Sequence, residues 1–243
     1  MAIDEAILQA KLRNCVPNTL RFYCWYPSAV SLGKFQNLEK EVNRKECRKH
    51  NVDIVRRISG GGAVYHAKKG EITYSVVVSK EDVKAKNVKA SYIKIYGGIV
   101  EALKILGLKG EIDEGNLRNC PNLKVNGKKI SGSAQAQKKG VLLQHGTLLL
   151  DVDLNKMFTF LKVPWAKTRE EIINVAKNKI TSIKELRKSV PLNESYKALR
   201  RGFQRALKIT FDLQELTSYE QTLTLKLYKE KYTNRTWNFK GVT

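Results

Sequence analysis

Two adjacent guanidiniums followed by three consecutive glycines, in RRISGGGAVYH from Arg56 to His66, are the residue types best placed to do chemistry in this chain. Glycines bury nothing and lose more freedom on ordering than other residues, so three in a row point to backbone N–H groups that must stay unobstructed. With Arg56 and Arg57 beside those donors, the segment predicts a seat for a phosphate or carboxylate, such as an anionic nucleotide or acyl phosphate. A second cluster, KVNGKKISGSAQAQ from Lys124 to Gln137, carries two lysines out of an Asn-Gly turn into small residues that admit a flat ligand. Alone it reads as an exposed lysine-rich hairpin. Beside the first cluster, Lys129 becomes a point charge aimed at an acyl or phosphoryl oxygen. A third cluster, Gln144-His145-Gly146-Thr147, interrupts an apolar strand with polar groups that need partners if buried. His145 by itself reads more readily as a structural hydrogen-bonding residue than as a reacting one.

The elements that must hold these groups follow from periodicity. Ile3, Ile7 and Ala10 mark a helix face, Leu20 to Trp25 alternates as a strand, and Val30 to Gly33 continues it after a turn at Pro27. Asn37 to His50 reads as a charged helix leading into a strand at Val52 to Val55. Ile72 to Val78 is a central strand, and Ala90 to Leu108 a helix closed by Gly107. The Asn126-Gly127 turn separates short strands at Leu123 and at Lys129-Ile130. Gly140 to Leu150 is a long strand and Leu154 to Leu161 a short helix. Two further helices carry Tyr196, Leu199, Phe203 and Leu207, then Tyr219 to Tyr232. Strands broken by helices, with hairpins among them, predict an α+β domain with a mixed β-sheet flanked by helices. No GxxxxGK[ST] or GxGxxG occurs, which sets aside a P-loop and a dinucleotide site.

At 243 residues and 42% hydrophobic, the chain suits one large α/β domain, or a main domain with a small appendage. No apolar run approaches the roughly 18 residues of a membrane span, and the opening MAIDEAILQAK is acidic and helical rather than a leader, so a cytoplasmic protein is expected. Four cysteines without a CxxC pair predict neither a disulfide framework nor a metal site. The net charge of +22 favours acidic partners, but the lysines are spread along the chain, which is equally the pattern of a solvated surface.

Taken in order, RRISGGGAVYH, GKKISGSAQ (Gly127 to Gln135) and HGTLLLDVDL (His145 to Leu154), flanked by SLGKFQN (Ser31 to Asn37) and WNF (Trp237 to Phe239), resemble the lipoate–protein ligase family of the wider biotin/lipoate ligase and acyltransferase superfamily. The resemblance spans most of the chain. It implies a biotin/lipoate ligase-like (class II synthetase-like) catalytic domain over 1–243 without the C-terminal accessory domain, similar to the large subunit of two-part ligases. The implied reaction joins lipoate and ATP, with Mg²⁺, into lipoyl-AMP and passes the lipoyl group to a lysine of a lipoyl domain. Arg57, Gly61, Gly62, Ala63, Val64 and Tyr65 would contact the adenylate, and Lys129 would bridge acyl carbonyl and α-phosphate as the catalytic residue. Arg56, His66 and His145 would stand behind them, while Val64 and Leu32 line an acyl slot. The implied partners are the lipoyl domain of a 2-oxoacid dehydrogenase E2 component or a glycine-cleavage H protein, and a separate small ligase subunit, with no nucleic acid or membrane.

Two positions depart from the ligase pattern. His66-Ala67 stands where His-Asp is usual, and Pro121-Asn122-Leu123 where Asn-Asp-Leu is, which removes carboxylates beside the phosphates. They sustain a second expectation, octanoyl or lipoyl transfer from a carrier protein through a cysteine opposite Lys129. Cys120, nine residues upstream, is the candidate, although the single-domain transferases resembling this chain set their cysteine where Glu114 or Gly115 falls. A third class, a basic nucleic-acid-binding module, has the charge and ten tyrosines behind it but no RNP or KH motif.

Overall fold

The computed structural model describes residues 1–115, 120–163, 166, 168–188 and 190–241. In chain order the elements begin α1 (Ala2–Leu12), β1 (Thr19–Tyr23), β2 (Ala29–Leu32), α2 (Leu38–Glu41), α3 (Arg44–Lys49), β3 (Asp53–Arg56) and β4 (Val64–His66). Next come β5 (Glu71–Ser79), α4 (Lys80–Val83), α5 (Val88–Ile105), β6 (Glu111–Asp113), β7 (Asn122–Val125), β8 (Lys128–Lys138) and β9 (Val141–Leu149). The chain closes with α6 (Leu154–Phe160), α7 (Arg169–Lys177), α8 (Ile183–Arg187), α9 (Leu192–Leu207), α10 (Ser218–Leu227) and two wider turns, Tyr228–Tyr232 and Thr236–Lys240.

The strands form two sheets. The larger is antiparallel in the order β1-β5-β9-β8-β7-β6, and the smaller is β3-β2-β4. Mixed pairing is confined to the smaller sheet, where β2 runs parallel to β3 and antiparallel to β4. The expected α+β architecture is therefore present, divided over two sheets.

Period-two alternation sorts the central strands into two faces. Ile72, Tyr74, Val76 and Val78 of β5 and Leu142 and Leu148 of β9 join α5 and α9 in the main core. On the other face, Val77 and Leu143 pack against Ile7 and Leu8 of α1. That same face carries Thr73, His145 and Thr147, so the polar residues of two otherwise apolar strands gather on one side of the sheet.

Three boundaries differ from the periodicity reading, each for a local reason. α5 starts at Val88 rather than Ala90 because the Asn87 side chain caps the Ala90 N–H at 2.8 Å. The charged segment after Asn37 splits at Val42-Asn43, where Val42 bridges to Leu161 and Asn43 caps a new helix through the Glu46 N–H. β8 runs for eleven residues instead of two, because Ser131 to Lys138 find a full-length partner in β9. A partner strand there overrides the weak strand propensity of serine, glycine and alanine.

Candidate active site

A cavity of about 680 Å³ is lined from both sheets: Ser31 of β2, the Gly61–His66 segment, Lys129 and Gly132 to Ala134 of β8, and His145 to Thr147 of β9. Cys120, Asn122 and Trp25 also face it, as do the apolar Leu149, Met157, Phe158 and Leu161. Of the expected site residues, Arg57, Gly61, Gly62, Ala63, Val64, Tyr65, His66, Lys129 and His145 come together here. Leu32 does not. It is fully buried in the core beneath β2, so the acyl slot expected of it falls to other side chains.

The glycine turn is built by close approach. Gly61 has φ +85°, and a side chain at Gly33 would collide with the Gly61 carbonyl. A Cβ at Gly61 would lie 3.6 Å from that of Ala134 in β8, which brings the two conspicuous sequence clusters into contact. The Gly61 and Gly62 N–H groups make no hydrogen bond among the described residues. They are donors left over.

Neither arginine behaves as a free anion clamp. Arg57 is 4% exposed, and Nη1 donates to the Ser31 carbonyl (2.9 Å) and Oγ (2.8 Å). Its Nη2 donates to the carbonyls of Gly60 (2.8 Å) and Gly62 (2.9 Å). Burial lowers its pKa to about 10, against the charges of Tyr23, Cys120 and Tyr92, which raise it. Arg57 thus draws the glycine carbonyls to one side. Arg56 lies outside the cavity lining: Nη1 donates to the carbonyls of Gly33 (2.9 Å), Lys34 (3.2 Å) and Gln36 (2.7 Å), and Nε to that of Trp237 (3.0 Å).

Two histidine relays converge on Arg57. Ser31 Oγ lies 2.7 Å from His66 Nε2, and His66 Nδ1 lies 2.6 Å from Glu71. In parallel, Ser59 Oγ receives Arg57 Nε at 3.4 Å and lies 2.6 Å from His145 Nε2, whose Nδ1 is 3.4 Å from Asp4. With Nδ1 as the donor on each ring, the serine hydroxyls can donate to Nε2 and both relays are closed. Trp25 stacks on His66 with centroids 4.1 Å apart and donates to Thr73, which in turn bonds Glu71. Asp4, Glu71 and Trp25 are absent from the motif reading, and Ser31 and Ser59, although they lie within SLGKFQN and RRISGGGAVYH, are given no role there.

Lys129 is half-buried, and its side chain lies across Gly132, where a Cβ would sit 2.8 Å from both Cε and Nζ. Its backbone is pinned on the edge that β9 leaves open, by Lys129 N–H to the Lys179 carbonyl (2.8 Å) and Thr181 N–H to the Lys129 carbonyl (2.9 Å). The ammonium has no hydrogen bond or ion pair among the described residues. Burial lowers its pKa, and charge on Cys120 opposes that shift. Cys120 is half-buried, shares the cavity, and accepts a hydrogen bond from the Tyr92 hydroxyl at 3.6 Å. At the positions where the transferase pattern set its cysteine, Glu114 pairs with Lys89 at 2.5 Å and Gly115 offers no side chain.

A family model described as the lipoyl protein ligase A/B catalytic domain matches residues 1–204. The chain belongs to that family. Within the lipoyl ligase family it is similar to octanoyltransferase LipM of Halalkalibacterium halodurans, 39% identical over 262 residues that cover 99% of this chain and 94% of the relative. The LipM of Bacillus subtilis is 37% identical over 260 residues, with 99% and 93% covered. A chain in the structure of an archaeal lipoylation system, a bi-partite lipoate protein ligase and its E2 lipoyl domain from Thermoplasma acidophilum, superposes with a TM-score of 0.86 at 30% identity, over 100% of this chain and 91% of that one.

These relatives correct the ligase expectation. Octanoyltransferases match the whole chain at 37% and 39% identity, above the 30% of the lipoate ligase chain, so this family member is an enzyme of protein lipoylation but not the ATP-dependent lipoate ligase first expected, and ATP, lipoate and Mg²⁺ fall with that reading. So does the separate small subunit that adenylation called for. The physical reason is in the cavity. The guanidinium assigned to phosphate is occupied by protein carbonyls, and the Cys120 thiol shares the cavity with Lys129. Among the described residues no helix is long and apolar enough to cross a membrane.

Proposed function

We propose that this protein is an octanoyltransferase, moving an eight-carbon acyl group from the thioester of a carrier protein to a lysine of a lipoyl domain, with the whole of 1–243 acting as one catalytic domain. The observation that carries the proposal is the Cys120 thiol in one cavity with the Lys129 ammonium and with the Gly61 and Gly62 amides, which have no partner among the described residues. Lys129 favours the thiolate as an adjacent cation. Sulfur attacks the thioester carbonyl, a new carbon–sulfur bond forms, the donor's carbon–sulfur bond breaks, and the carrier thiol leaves with a proton. The acceptor's neutral amine then attacks the acyl-Cys120 thioester, forming the amide and returning the sulfur. In both steps an oxyanion develops, and the Gly61 and Gly62 amides with Lys129 are the donors available for it.

Arg57 fixes the Gly60–Gly61 peptide, and with it the Gly61 amide, through the Gly60 carbonyl, with His66 and His145 behind it. Val64, with Leu149, Met157 and Leu161, supplies the apolar wall for the acyl chain, at about 0.8 kcal/mol per buried methylene. Ala63, just before β4, and Tyr65 within it complete that wall. Arg56 ties the turn to Trp237 and Asn238, which is the argument for including the C-terminal segment in the catalytic unit.

The test is mass spectrometry of an apo lipoyl domain incubated with the chain and an octanoyl-carrier thioester, without ATP. An octanoyl adduct on the acceptor lysine is expected, together with an acyl-enzyme on Cys120 when the acceptor is left out. Cys120→Ser should reduce transfer by at least about a thousandfold. Transfer that survives this substitution would remove Cys120 from the mechanism.

A further inference from the structure

The environment of the Cys120 sulfur contains a group that no step above uses. Tyr92 is on α5, 5% exposed, with its ring in the main core, yet its hydroxyl emerges at Cys120. One helical turn later, Tyr96 donates to the carbonyl of Pro121 at 3.1 Å. Residues four apart share a helix face, so α5 presents two phenols to two consecutive residues of one segment. The lower holds the backbone after the cysteine, and the upper meets the sulfur.

The Tyr92 hydroxyl donates and the Cys120 sulfur accepts. Beside them, Gln135 Nε2 donates to Ser91 Oγ at 3.0 Å and to Gln144 Oε1 at 2.6 Å. Burial, with the charge and hydrogen bond of Cys120, raises the phenol's pKa, so Tyr92 stays a donor across the working range. A buried hydroxyl locked in this way costs conformational freedom that a phenylalanine would not, and core packing alone does not require it.

We propose that Tyr92 is a catalytic hydrogen-bond donor to the Cys120 sulfur, stabilising the thiolate from the α5 side while Lys129 acts from β8. The proposal rests on Cys120 being the nucleophile. In the first transfer step Tyr92 holds the attacking electron pair in the direction of the cavity. In the second it receives the sulfur as it departs from the acyl carbon, so that expulsion of the thiolate does not wait on a proton.

The test reads the sulfur directly. Cys120 alkylation by iodoacetamide is followed by peptide mass spectrometry from about pH 5 to about pH 10 in the full chain, for wild type, Tyr92→Phe and Tyr96→Phe. Loss of one hydrogen bond to a charged group lowers the thiolate fraction about tenfold on the acid side of the profile. A more basic thiolate is also a better nucleophile, with a Brønsted slope of about 0.4–0.5, which returns about a factor of three. Tyr92→Phe should therefore alkylate about threefold slower than wild type at low pH and about threefold faster at high pH. The two curves cross. Tyr96→Phe should leave the shape of the profile unchanged.

Coincident curves, or a Tyr92→Phe curve displaced by the same factor at every pH, would overturn the proposal and leave Tyr92 as packing. If the phenylalanine variant is too unstable to assay, 3-fluorotyrosine at position 92, a stronger donor of nearly the same shape, should move the profile toward lower pH, and no movement counts against the proposal equally. Octanoyl transfer by Cys120→Ser is scored separately. Transfer that survives in that variant defeats the nucleophile assignment, whatever the alkylation curves show.

Discussion

Lys129 is a half-buried ammonium with no ion pair among the described residues, and that is an unfavourable position for a cation. Burial lowers its pKa below the ordinary lysine value of 10.5, so the unfolded chain binds the proton more readily at every pH beneath that value. The sign is then set: near neutrality Lys129 subtracts from stability, and the deficit disappears only as the pH rises past its unfolded value. Replacement by an apolar side chain of similar length should remove the deficit together with the activity. Lys129→Met is expected to raise the melting temperature by a few degrees, and to lower octanoyl transfer by about a hundredfold or more. Thermal melts and single-turnover acylation on the same preparation check both halves. A variant that loses stability would show Lys129 to be a structural residue. Gly132 is part of the same arrangement, since the lysine stem occupies the space its side chain would need.

At the scale of elements, Asp4 ties α1 to β1 through Arg21 at 2.7 Å and Tyr23 at 3.0 Å, and to β9 through His145 at 3.4 Å. Burial alone would raise the Asp4 carboxyl, but Arg21 and the His145 hydrogen bond outweigh it and hold it well below 3.8. Its contribution is present above that pH and disappears only as the pH falls through the lower folded value. His145 behaves differently. Burial lowers its pKa from 6.5 against the pull of Asp4, so below pH 6.5 the unfolded chain takes a proton that the folded one refuses. Stability should begin to fall just under pH 6.5, well before the carboxylates titrate, and His145→Gln should flatten the melting-temperature curve between about pH 6.5 and pH 5. An unchanged slope there would place the acid sensitivity elsewhere. The relay also marks the limit of what the chain discloses unaided. The glycine turn, Lys129 and the polar break in β9 stand out because their composition conflicts with burial or with strand propensity. Asp4 and His145 meet across 141 positions, and Tyr92 and Cys120 across 28, with no local period to connect them. Tyr92 and Tyr96 also sit on the apolar spacing of α5, where a phenol looks like core until the Cys120–Pro121 segment is placed against it. Cys120 is legible as a thiol near Lys129 while the transferase resemblance points to the positions of Glu114 and Gly115, and that Cys120 and Lys129 line one cavity appears only in the fold.

For the whole molecule, a net charge of +22 acts on encounters rather than on the chemistry inside the cavity. A carrier protein or lipoyl domain with a net negative charge would be steered toward such a surface, and screening would weaken that attraction as the Debye length falls from about 10 Å at 0.1 M salt to about 3 Å at 1 M. A small neutral donor, such as the octanoyl thioester of N-acetylcysteamine, feels none of this, although it presents the same carbonyl to Cys120. Between about 0.05 M and about 0.5 M salt, kcat/KM for an acidic octanoyl-carrier should fall by about tenfold, while acylation of Cys120 by the neutral thioester should hold within about twofold. The comparison separates two origins of salt sensitivity in one protein. If both donors slow in parallel, the sensitivity belongs to the thiolate–ammonium pair at Cys120 and Lys129. If only the carrier slows, it belongs to the surface, and the many lysines spread along the chain act as a diffuse guide toward the cavity.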